Sequence, residues 1–160
     1  MIISVRRWML TMVAGFAASA ANAGVIFAPG QWQHETNLVS ADVPGIPQWL
    51  IRLMAGHGSR KSCNSAPQLS DHPETLFKAD DDAVCRLHKF AVSNGKLVFD
   101  TFCTNKRFPD GLLVSSLGTY TPTSYTISTN STGTRNGKPV HIVTTGAGKH
   151  ISDNCRNPKP

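Results

Sequence analysis

Apolar and polar residues alternate most regularly between Cys85 and Cys103, where residues 87–92 and 96–102 flank the step Ser93-Asn94-Gly95. Asn-Gly between two alternating runs predicts a hairpin, because both residues accept the positive φ of a tight turn. Two registers compete. A two-residue Asn94-Gly95 turn sets Phe90 against Phe99 and Val92 against Leu97, an apolar face. It leaves Cys85 and Cys103 on opposite faces, where they cannot bond without a bulge. A three-residue loop, with Gly95 left-handed in a G1 bulge, sets Cys85 opposite Cys103 and His88 opposite Asp100. The bulged loop is the expected form, because it lets the cysteines meet.

Around this hairpin the pattern predicts more strands and one helix. Residues 30–39 open as a strand, and Val43-Pro44-Gly45-Ile46-Pro47 turns the chain. Pro47 suits a helix's first turn, and Gly56 and Gly58 end it. Trp49, Leu50, Leu53 and Met54 fall on one apolar face. That face is expected to pack on the sheet, meeting Phe90, Val92, Leu97 and Phe99. Residues 59–83 read as a polar linker, with one helical turn near 73–78. Residues 112–120, 125–132 and 140–150 are Thr-, Val-, Ile- and Tyr-containing strands parted by polar turns. Gly146-Ala147-Gly148 in the last predicts a bulge or a close approach. The expected fold is mainly β: a curved antiparallel meander or partly closed barrel with one short helix and two disulfides.

The first 23 residues change the picture of where this fold works. Arg6 and Arg7 precede an apolar, uncharged stretch, and Ala21-Asn22-Ala23 makes a small-x-small cleavage site. This is the pattern of an export signal, too short and too rich in Ala and Gly for a membrane span. Cleavage leaves residues 24–160 as one domain of 137 residues with no transmembrane segment. In an exported chain, four cysteines without a CxxC motif or zinc-type His spacing predict two disulfides. Cys85–Cys103 staples the hairpin, and Cys63–Cys155 would then tie the linker to the C-terminal strand. The sequence leaves Cys63–Cys85 with Cys103–Cys155 as the open alternative. The 16 basic residues less Arg6 and Arg7, against 10 acidic ones, leave +4 after cleavage. The charges are scattered rather than clustered, so nucleic acid is not an expected partner.

Catalytic motifs are absent: no P-loop, GxSxG, HExxH or dinucleotide fingerprint occurs. The six histidines are dispersed and read as surface residues, and Ser62 carries no signal of its own. The run Asp80-Asp81-Asp82 lacks the ligand spacing of a calcium loop and reads as solvated charge. No metal, cofactor or enzymatic activity is expected.

Pro29-Gly30-Gln31-Trp32, then Val43-Pro44-Gly45-Ile46-Pro47, then four cysteines ending in Asp153-Asn154-Cys155 resemble the exported bacterial family called domain of unknown function 3617. The resemblance covers nearly all of the mature region. It departs where Asn64-Ser65 replaces a Leu-Thr-like pair after Cys63, and where methionine is scarce in the turn. It implies a periplasmic location and a β-rich fold, and it supplies no catalytic residues. The expected function is non-enzymatic binding of a small apolar ligand on the curved sheet, with Trp49, Leu50, Leu53, Met54, Phe90 and Phe99 as candidate contacts. The alternative is a protein-interaction or envelope-stress factor acting through a sheet edge or loop on an envelope protein.

Overall fold

Two Asn-Gly steps set two of the two-residue turns of the sheet. Asn94 and Gly95 have φ of 50° and 74°, and Asn136 and Gly137 have 53° and 71°. Both pairs are left-handed, as a two-residue hairpin turn of type I′ requires. In this computed structural model, residues 26–78 and 82–155 are described, with only the backbone at Met54 and Ala55. The expected export signal, Asp80 and Asp81 lie outside the described residues.

Seven strands form one antiparallel sheet: β1 (Gly30–Asp42), β2 (His57–Asn64), β3 (Val84–Ser93), β4 (Lys96–Thr104), β5 (Leu112–Thr121), β6 (Ser124–Arg135) and β7 (Lys138–Ser152). Their spatial order is β2-β1-β7-β6-β5-β4-β3, and the sheet does not close into a barrel. Strands β3 to β7 are the expected meander. Strand β1 adds to β7 instead of to its sequence neighbours alone, and β2 forms the far edge.

The hairpin corrects one expectation. Its turn has two residues, with Ser93 paired to Lys96, Phe90 to Phe99 and Val92 to Leu97. A register shift between Leu87 and Lys89 makes His88 the extra residue, after which Cys85 pairs with Cys103. A bulge inside β3 satisfies both the apolar face and the disulfide, so the turn need not supply it. Asp100 consequently opposes Lys89, not His88. Both expected disulfides are present, Cys85–Cys103 and Cys63–Cys155, with Cα–Cα distances of 4.1 and 5.6 Å.

The polar linker is also more structured than its composition suggests. It begins inside β2 and continues as α2 (Ala66–Asp71) and a 3-10 helix (Pro73–Phe77), where one helical turn was expected. Leu69 and Leu76 from this stretch join Phe27, Trp32, Leu97, Phe99 and Tyr125 in one core cluster. A strand that carries Arg60 and Lys61 looks like linker because it lies at an edge, where polar side chains meet water on both faces.

Helix α1 (Gln48–Ala55) forms where expected but presents a different face. Trp49 and Leu53 are 67% and 78% exposed. Ile51 instead packs on a second cluster built from Ala41, Val43, Leu112 and Val140. The short connection from β1 holds the helix beside that strand's end. Phe90 and Phe99 belong to the other cluster, packed with Phe27, Trp32 and Tyr125.

Candidate functional site

Side chains alternate between the two faces of a strand, so the pairing register assigns the sheet's inner face. Thr36 of β1, Thr129 of β6, Val114 and Ser116 of β5, Phe99 and Thr101 of β4, and Leu87 and Phe90 of β3 all fall on it. The connection from β2 to β3 joins the two edges of the sheet across this same face. Phe77 marks its path, with ring centroids 5.0 Å from Phe99, 6.1 Å from Phe90 and 4.8 Å from Tyr125. Beneath it lies a cavity of about 510 Å³. Phe77, Phe90, Phe99, Leu87 and Val114 give it apolar walls, and Thr36, Thr101, Ser116 and Thr129 line it with hydroxyls. Ser116 and Thr129 satisfy each other at 2.8 Å.

Past Thr36, Phe77 and Phe99 the cavity adjoins a smaller one of about 240 Å³. Its lining includes Lys78 and Arg60, both exposed, together with His34 and Tyr125. Arg60 Nη2 donates to the Lys78 carbonyl at 2.9 Å, tying β2 to the end of the crossing segment.

His34 is 3% exposed, contrary to the expectation that it lies on the surface. Its Nδ1 lies 2.6 Å from Tyr125 Oη and its Nε2 lies 2.7 Å from Ser62 Oγ. Asn64 Nδ2 in turn donates to Ser62 Oγ at 3.0 Å. Burial, reinforced by the Arg60 charge, pulls the His34 pKa from 6.5 down to about 4. Burial pushes the Tyr125 hydroxyl up to about 12, against a smaller opposing effect of Arg60. Both groups are therefore neutral at pH 7. Tyr125 reaches His34 across an intervening strand: Gly148 of β7 is paired with both residues. A Cβ at Gly148 would collide with the Tyr125 ring. The glycine motif in the last strand is thus a close approach, one of the two outcomes expected of it.

Of the candidate contacts, Phe90 and Phe99 line the cavity. Trp49, Leu50 and Leu53 sit on α1, whose Ile51 packs with the second cluster, and the Met54 side chain lies outside the described residues. The cavity brings in Leu87, Val114 and the hydroxyl residues, whose sequence signal was strand alternation alone, and Phe77, from the 3-10 helix in the stretch that reads as a polar linker. The disulfide sulfur-bearing residues Cys85 and Cys103 also border it. Among the described residues, no group of three His, Cys, Asp or Glu side chains is placed to hold a metal ion.

No curated protein and no solved structure matches this chain. A family model described as "Protein of unknown function (DUF3617)" matches residues 27–155, which takes in the whole sheet, both disulfides and the cavity. The chain belongs to the DUF3617 family.

Proposed function

We propose that the protein is a non-enzymatic periplasmic binding module that holds a small apolar ligand on the inner face of its sheet. One observation carries the reading: a cavity of about 510 Å³ with Phe77, Phe90, Phe99, Leu87 and Val114 in its walls. Ligand sites commonly enclose about 300–1,000 Å³ and combine apolar walls with a few polar groups. Two disulfides favour an oxidising compartment, and no helix among the described residues is long and apolar enough to cross a membrane. The non-enzymatic reading rests on His34 and Ser62, whose hydrogen bonds are taken up by Tyr125, Asn64 and each other in a buried setting.

The test fills the cavity. Thr101→Phe puts a ring on the inner face of β4, where Thr101 borders the open volume. The variant is expected to fold and to lose the fluorescence enhancement of an apolar dye that the wild type shows by titration. Equal dye binding by both proteins would remove the cavity from consideration. A second reading has its own observation: β3 is an edge strand on which Val84 and Leu87 are 77% and 42% exposed. Such an edge accepts a partner strand through its free backbone groups.

A further inference from the structure

The cavity and the smaller space beside it differ in chemistry, and the difference points to a class of ligand. The large chamber is walled by Phe77, Phe90, Phe99 and Leu87. The smaller one shares Thr36, Phe77, Lys78 and Phe99 with it and adds Arg60. Apolar volume therefore leads to a vestibule carrying two exposed cations.

Two carboxylates, Glu35 and Glu74, also border these spaces, and among the described residues neither makes an ion pair with Arg60 or Lys78. Glu35 lines the vestibule through its position in β1, but its side chain alternates to the opposite face of the sheet, where Gln33 Nε2 donates to its carboxylate at 3.2 Å. Glu74, on the lining of the large chamber, is engaged by His72 Nδ1 at 3.1 Å. His34 is neutral and adds no charge of its own. The Arg60 charge is felt inside the vestibule, since it lowers the pKa of both His34 and Tyr125.

We propose that the bound molecule is a single-chain amphiphile with an anionic head. Its acyl or alkyl chain lies in the chamber beneath Phe77, and its carboxylate or phosphate meets Arg60 and Lys78 in the vestibule. Arg60 offers a planar donor fork matched to either oxyanion, and Lys78 adds a flexible point charge. This inference rests on the binding reading above and adds the sign of the head to it.

Titration of the full, disulfide-bonded protein with four dodecyl probes below their micellar concentrations separates the two ideas. The probes are dodecanoate, dodecyl phosphate, dodecanol and dodecyltrimethylammonium, each measured by displacement of an apolar dye. The carboxylate and phosphate should bind roughly 10-fold or more tighter than the alcohol, about 1.4 kcal/mol, and the ammonium weakest. The ratio between the first two distinguishes a fatty-acid head from a phosphate head. The double substitution Arg60→Gln with Lys78→Gln should bring the anions to the level of the alcohol and leave the alcohol unchanged. Lys78→Gln alone, which keeps the Arg60 bond to the residue 78 carbonyl, should give an intermediate loss. If the alcohol binds as tightly as the anions, or the double variant loses nothing, the anionic head is overturned while the cavity reading stands. If no probe binds, both fall.

Discussion

His34 lies in the core with hydrogen-bond partners on both ring nitrogens, and that makes the stability of the fold depend on pH. Its pKa falls from 6.5 in the unfolded chain to about 4 in the fold. Between those values the unfolded chain binds the extra proton, so stability rises with pH across the window. The contribution is complete above about 6.5, is lost progressively toward pH 4, and is on the order of 3 kcal/mol. Urea unfolding at pH 7 and pH 4.5 should show a larger drop for the wild type than for His34→Gln; equal drops would place the histidine in water. Little of this was legible in the sequence. Tyr125 and Ser62 stand 91 and 28 positions from His34, and only the folded sheet makes them neighbours. The glycine of β7 was legible, because a small residue in a strand signals that something crosses closely above it.

At the scale of elements, local signals were read well and choices between neighbours were not. The Asn94-Gly95 hairpin depends on two residues' dihedral preferences, and these are written into the chain. The position of the bulge at His88 is set by the demand that Phe90 and Cys85 share the inner face, a condition involving β4 as well. Strand β2 escaped notice because an edge strand carries polar residues on both sides and shows no alternation. In α1, apolar residues occur nearly all round a helix of eight residues, so periodicity cannot choose the buried face. The outcome has a measurable consequence. Trp49→Ala should cost less than about 1 kcal/mol in denaturant unfolding, as expected for an exposed position. Leu76→Ala, at 1% exposure in the crossing segment, should cost about 2–5 kcal/mol. The reverse order would return the tryptophan to the core.

Across the whole molecule, the strand order divides the chain by sequence distance. From β3 to β7 every strand pairs with its immediate successor, whereas β1 waits for β7, more than a hundred residues later. The Cys63–Cys155 bridge spans this long connection with a separation of 92, against 18 for Cys85–Cys103. In the chain-entropy account the long loop is worth more than 4 kcal/mol and the short one about 3 kcal/mol. Replacing Cys63 and Cys155 by serine should therefore lower stability more than replacing the other pair, as read from denaturation midpoints. The strand order also implies a sequence of events in time. Short hairpins close in microseconds, while distant pairings wait on a long search. The meander should form first and bring Cys85 to Cys103, and β1 should zip onto β7 afterwards. Only that last pairing seats Trp32 and His34 against Tyr125 and brings Cys63 to Cys155. During oxidative refolding, the chain trapped by acid or alkylation should accumulate with the hairpin bridge alone, its inner face still uncovered on one side. The chamber beneath Phe77 is thus the last part of the molecule to be completed.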